Sequence, residues 1–258
     1  MTSTTKNNSI LLKNIALKIT LPSFLIFLLW HGLYELADNE YIVPSISSTF
    51  KSLIRILADK SFFEIVLLSL VRVTIGLITG AFFGVLLAAL CSKFSILNDT
   101  FAPIISIMKA TPVASIIVLL WVMMNPDSLT IFIVILMVMP IIWQSSLNAF
   151  KSIDNDLLEV AEIFEFSRAK KLKLLTLPTL LKYLIPATIT SVGLAWKAEI
   201  AAEIVTGINI GKLISDNKNV FYDTATVFAW IIIIVFFSLI LEKATKYCFK
   251  RLTNESVD

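Results

Sequence analysis

Apolar runs of about 20 residues, the length an α-helix needs to cross a hydrocarbon core of roughly 30 Å, recur along this chain and confine it to one kind of fold. They fall at 19–37, 65–91, 101–124, 128–149, 184–206 and 223–248. A soluble domain of 258 residues, 57% of them hydrophobic and 16% charged, would leave too much apolar surface in water, because a large share of any folded surface stays wet. Lipid as solvent removes the conflict if every backbone polar group inside it is paired, which restricts spans to helices and closed barrels. Barrel strands are about 10 residues long and alternate strictly; these runs do neither. The expected fold is therefore an all-α membrane protein of about six transmembrane helices.

The segments between the runs set the organisation. Lys13 and Lys18 precede the first run, which ends in His31, Glu35 and Asp38 with no small-residue cleavage site, so it reads as a retained span and not a signal peptide. Between 41 and 64, Phe50, Leu53, Ile54 and Leu57 recur at helical spacing with Lys51 and Arg55 between them, a short amphipathic helix outside the hydrocarbon. Gly76, Gly80 and Gly84 form a small-residue stripe that lets a second helix approach closely. Asn125-Pro126-Asp127 reads as a turn. With the N-terminus inside, thirteen Lys and Arg lie in inner connections and five in outer ones, the bias expected of cytoplasmic loops. A single transmembrane domain, 1–258, then has cytoplasmic tails at 1–18 and 249–258 and a cytoplasmic segment at 150–173. Five spans remain the alternative if the region before Gly207 is re-entrant. Cys91 and Cys248 sit at run ends on the cytoplasmic side, where no disulfide framework is expected. A net charge of +3 is too small to point to nucleic acid.

The cytoplasmic segment carries the most information. Leu157, Val160, Ala161 and Phe164 fall on one helical face, and small Ala161 would admit a close partner. Ser167 can cap a second short helix that opens with Arg168, and the basic run ends where the chain re-enters the membrane at Leu177-Pro178. Physics alone leaves two readings, a docking surface for an acidic or phosphate-rich neighbour and a solvated loop on anionic lipid. The segment resembles the cytoplasmic signature of binding-protein-dependent ABC importer permeases: Glu-Ala-Ala, three residues, Gly, nine residues, an aliphatic residue, one residue, Leu-Pro. Glu159-Val160-Ala161, Leu175 and Leu177-Pro178 fill the pattern, with Val160 in place of the middle Ala and Glu165 in place of Gly. A side chain at that position either avoids a left-handed backbone or adopts it at a cost of about 1 kcal/mol. Ser69-Leu-Val-Arg72-Val with Gly76, Gly80 and Gly84 resembles the second span of the nitrate, sulfonate and taurine subgroup. Met108-Lys-Ala-Thr-Pro112 with Leu120-Trp121 resembles its third, and Gly193-Leu-Ala-Trp196-Lys197 with Ala201-Ala-Glu203 its fifth.

The resemblance implies a permease subunit of type I importer fold whose 150–173 segment is a coupling helix docked on a cytosolic ATPase dimer. It also implies an extracytoplasmic substrate-binding protein and a second permease copy, a homodimer with a heterodimer left open. ATP and Mg would belong to the ATPase, because this chain has no Gly-rich Lys-Ser/Thr phosphate loop, and no cofactor or metal is expected on the chain itself.

Charges inside spans cost at least about 2.5–3.5 kcal/mol at mid-bilayer and so face protein or water. Lys109, Trp196, Lys197, Glu199 and Glu203 are accordingly the candidates for a translocation path, with interhelical ion pairing as the other reading of the charges. Glu199 and Glu203, four apart, share a helical face. Arg72 and Lys182 are expected near the headgroups, their charges reaching out to water. The competing function is an ion-coupled carrier or channel using Lys197, Glu199 and Glu203. No Ser/His/Asp or metal-ligand cluster argues for a membrane enzyme.

Overall fold

A computed structural model describes residues 21, 22 and 24–253. The expected tail at 1–18, residues 19, 20 and 23 of the first run, and residues 254–258 lie outside them. All regular structure among the described residues is helical, and the helices group into two compact units.

The first unit holds α1 (Phe24–Ala37), α2 (Ile46–Ala58) and residues 216–231. Ser45 caps α2, its hydroxyl accepting the Ser48 N–H at 3.1 Å, one of the donors that a helix start leaves unpaired. Trp30 Nε1 donates to the Pro44 carbonyl at 3.0 Å, and its ring lies 5.5 Å from that of Phe228. The Thr224 hydroxyl donates to the Tyr41 carbonyl at 2.6 Å. α2 buries Thr49, Ser52 and Ile56 and leaves the apolar side chains of Phe50, Ile54 and Leu57 exposed. An apolar face that the chain does not cover fits a helix lying in the membrane surface.

The second unit, which holds the described residues 60–215 and 232–253, is built on α3 (Phe62–Lys93), α6 (Pro126–Lys151) and α9 (Leu177–Thr206), and includes α11 (Thr224–Thr253) from residue 232 onward. Asn125 opens α6, its amide oxygen accepting the Ser128 N–H at 2.9 Å, and Pro126 takes the first helical position, where its missing N–H costs nothing. The glycine stripe of α3 meets α6 directly. A Cβ at Gly76 would lie 2.5 Å from Val134 Cγ1, and one at Gly84 2.9 Å from the Met139 carbonyl oxygen. Close approach of backbones gives such a pair its dispersion contacts in a solvent as apolar as the side chains. Val134, Val138 and Ile142 are fully enclosed against it.

Among the described residues, four helices are long and apolar enough to cross a membrane: Phe62–Lys93, Pro126–Lys151, the continuous stretch Arg168–Thr206, and Thr224–Arg251. The expected span at 101–124 is not one helix. It comprises α4 (Ser95–Ala110) and α5 (Val113–Trp121), bent by 94° at the break. Pro112 causes the break: it has no N–H to continue the ladder and drives Thr111 to extended backbone, φ −76° and ψ 128°. The pair makes a fifth crossing if it counts as one span, and the described part of α1 is shorter than a span. Helix also begins well before the expected 184. Pro178 is accommodated because a single π turn, Leu172–Thr176, precedes it and widens the ladder where the proline ring would strike Leu174.

Candidate functional site

Local signals build the segment between α6 and α9. The Asp154 carboxylate accepts the Asp156 N–H at 2.9 Å and starts α7 (Asn155–Ile163). α7 ends in a left-handed residue, Glu165 at φ 49°. The Glu165 N–H donates to the Glu162 carbonyl and the Phe166 N–H to the Ala161 carbonyl, each at 2.9 Å, the bond pair of a Schellman turn. Glu165 thus takes the left-handed conformation and bears its strain, on the order of 1 kcal/mol. Glu165→Gly is expected to keep the turn and raise stability by up to about 1 kcal/mol in thermal unfolding of the purified protein. A loss of stability would mean that the side chain makes a compensating contact.

Ser167 then caps α8 (Arg168–Lys171), accepting the Lys170 N–H at 3.3 Å. Lys170 Nζ stands 3.7 Å from the Phe166 ring centre, and Lys171 pairs with Glu162 at 3.4 Å, so α8 is held against the turn. Ile163 and Phe164 are 77% and 70% exposed. Leu157, Val160, Glu159, Arg168, Leu177 and Pro178 are exposed as well. Ala161 departs from expectation. It is 1% exposed, enclosed by the chain's own residues, and gives a partner no surface.

A second constellation lies at the far end of α9. Glu203 is fully buried. Its Oε1 accepts the Ser69 hydroxyl of α3 at 2.7 Å and an N–H of Arg72 at 3.5 Å. Its Oε2 accepts the Gly211 N–H at 3.3 Å. Gly211 lies in α10 (Asn209–Asn219), and a Cβ there would overlap the Glu203 carbonyl carbon and the Ile204 nitrogen. Only glycine brings its N–H so near a buried carboxylate. Arg72 also pairs with Asp127 at the start of α6. Its side chain is 13% exposed, so it turns into the bundle and not out to the headgroups. Ser69 and Arg72, three apart on α3, share a face readable from sequence; their partners, more than 50 positions away, are not. Asp127 read only as part of a turn.

The remaining candidates separate. Glu199 is fully buried one helical turn before Glu203, and neither carboxylate oxygen meets a hydrogen-bond donor among the described residues. Lys197 points elsewhere: it is exposed, as is Lys109, and neither forms an ion pair among the described residues. Trp196 is fully enclosed, its Nε1 donating to the Ile234 carbonyl of α11 at 3.0 Å; it fastens two helices and faces no open surface. Glu242 on α11 was not singled out from sequence. Its carboxylate rests where a Cβ of Gly193 would otherwise stand, a contact that no local pattern announces. No group of three or more His, Cys, Asp or Glu side chains among the described residues could hold a metal ion.

Residues 80–254 match the family model described as binding-protein-dependent transport system inner membrane component. Similar curated proteins include the nitrate import permease protein NrtB of Leptolyngbya laminosa, 27% identical over 62% of this chain and 58% of that protein. The bicarbonate transport system permease protein CmpB of Synechococcus elongatus is 28% identical over 61% of this chain and 58% of its own length. The putative aliphatic sulfonates transport permease protein SsuC of Bacillus subtilis is 26% identical over 72% and 66%. The chain thus spans less than two thirds of the length of these relatives. Among solved structures, an inward-facing MetNI methionine ABC transporter superposes with a TM-score of 0.59 at 17% identity, covering 74% of this chain and 94% of that one, a likeness of fold.

Proposed function

The chain belongs to the family of binding-protein-dependent transport system inner membrane components, and on that premise we propose that it is the permease subunit of an ATP-driven importer. The single observation that carries the reading furthest is the exposed apolar surface of α7 and its C-terminal cap, Leu157, Val160, Ile163 and Phe164, on a short helix between two span-length helices. Apolar side chains held rigidly in the solvent favour a protein partner over a solvated loop. In this reading 150–173 docks on a cytosolic ATPase dimer, both termini are cytoplasmic, a second copy of the chain completes the path, and a binding protein delivers the solute from outside. ATP binding draws the ATPases together, and the two coupling segments carry that movement into the spans.

Lys109 and Lys197 support an anionic cargo. Each is exposed on an apolar helix, where an ammonium facing mid-bilayer lipid would cost at least about 2.5–3.5 kcal/mol, which favours water or a second copy as its cover. Two such cations on a path would favour an anion, and the similar permeases carry the names of nitrate, bicarbonate and sulfonate systems. Glu203 belongs to the framework of the bundle, bound as it is by three donors.

The test is uptake in intact cells of labelled nitrate, bicarbonate and an aliphatic sulfonate, offered in turn. The expected result is uptake of one of them that stops when ATP is depleted and persists when ion gradients are collapsed. Uptake that survives ATP depletion and fails with the gradient would replace this reading with an ion-coupled carrier.

A further inference from the structure

In the first unit, the loop between α1 and α2 and the residues before α11 enclose a cleft of about 360 Å³. Glu40 and Asp223 supply carboxylates to its lining, and Tyr41, Phe221 and Tyr222 supply aromatic rings. The walls are tied in place. The Thr224 hydroxyl donates to the Tyr41 carbonyl at 2.6 Å, the Tyr41 N–H donates to Asn39 Oδ1 at 2.9 Å, and the Asp223 N–H donates to the Asn217 carbonyl at 2.8 Å. Tyr222 is held at φ 53°, a left-handed backbone that a bulky side chain adopts only where its surroundings impose it.

The two carboxylates differ. Asp223 is committed: it accepts the Thr226 N–H and hydroxyl at 3.0 and 2.6 Å and faces Arg55 at 4.0 Å. Glu40 is exposed and forms no ion pair among the described residues. The aromatic rings are 74%, 67% and 66% exposed for Tyr41, Phe221 and Tyr222, so their faces are open. An uncompensated carboxylate beside open aromatic faces is the chemistry that holds a cation, by charge and by ring quadrupole together. An anionic headgroup would be repelled by the uncompensated Glu40.

We infer that this cleft, on the outer side in the topology of the importer reading on which the inference rests, is the seat for a basic side chain of the extracytoplasmic binding protein. The permease contributes the acid and the aromatic faces; the binding protein contributes the lysine or arginine. Charge pairing at such an exposed contact acts chiefly on the encounter and weakens with salt.

The transporter, reconstituted in liposomes with its ATPase, is titrated with the binding protein that stimulates its ATP hydrolysis. Glu40→Lys is expected to raise the half-saturating binding-protein concentration about tenfold and Glu40→Gln about threefold, with the gap to the unaltered chain narrowing at high salt. Acidic substitution of the matching basic residue on the binding protein is expected to restore Glu40→Lys. A stimulated transporter whose half-saturation ignores Glu40→Lys would overturn the seat and leave the importer reading standing. Absence of any stimulation in the unaltered chain would overturn both. A fluorophore at Tyr222→Cys that is quenched by spin-labelled lipid, and not by the labelled binding protein, would assign the cleft to the membrane surface and overturn the seat as well.

Discussion

Arg72→Leu is expected to destabilise the protein by about 3–5 kcal/mol, the cost of leaving one member of a buried pair without its partner. Glu203 has no exposure, so water cannot replace the guanidinium. The Ser69 hydroxyl at 2.7 Å and the Gly211 N–H at 3.3 Å would remain, but neither carries a charge. Removing both partners, Arg72→Leu with Glu203→Leu, is expected to cost less than the single change, because the stranded charge goes with them. Asp127→Asn is the contrast: the Asp127 side chain is 70% exposed, and pairs of that kind contribute about 0–1 kcal/mol. Thermal unfolding of the detergent-purified chain and its three variants, with Glu203→Leu alone added to close the cycle, separates the contributions. Arg72→Leu within about 1 kcal/mol of the unaltered protein would show that Arg72 does not hold Glu203 in the folded state.

What the sequence disclosed follows the range over which each interaction acts. Run length and hydropathy located the span-length helices, because a bilayer reads composition over about 20 consecutive residues. The spacing of Gly76, Gly80 and Gly84 disclosed a helix contact without naming α6, since a stripe marks one face and not its partner. Pro112 was in plain view, yet the apolar run around it continued unbroken and masked a 94° bend; hydropathy is blind to backbone direction. Glu165 could be reasoned to either of two outcomes, and the chain took the left-handed one at φ 49°. The Ser69–Arg72–Asp127–Glu203 cluster joins three helices, and residues 131 positions apart meet in it. Charge in an apolar span signals that a partner must exist; only the packing of α3, α6 and α9 names it. Ala161 shows the opposite error: the pattern placed it correctly on an apolar side of α7, but could not say which side the chain itself would cover.

Burial of Ala161 decides how the coupling surface should be tested. Deletion of 161–164 would remove a residue that the chain packs around, so lost ATPase association could reflect a damaged turn. Phe164→Asp avoids this, because the ring is 70% exposed and the left-handed residue that closes the helix is Glu165. Apolar anchors at the centre of protein contacts contribute about 2–4 kcal/mol on truncation, so the substitution is expected to weaken ATPase binding by roughly 30- to 1,000-fold and to abolish uptake, with expression and thermal unfolding of the permease unchanged. Phe164→Leu, which retains an apolar side chain, is expected to keep most of the affinity. Glu159→Arg, on the exposed side of the same helix, is expected to lower association by charge reversal and so to respond to salt, whereas Phe164→Asp is not relieved by salt. Co-purification of the ATPase with each variant, quantified against membrane-inserted permease, separates these outcomes. Normal ATPase recovery with Phe164→Asp would remove α7 and its cap as the coupling surface, since no residue within the helix presents as large an uncovered apolar side chain.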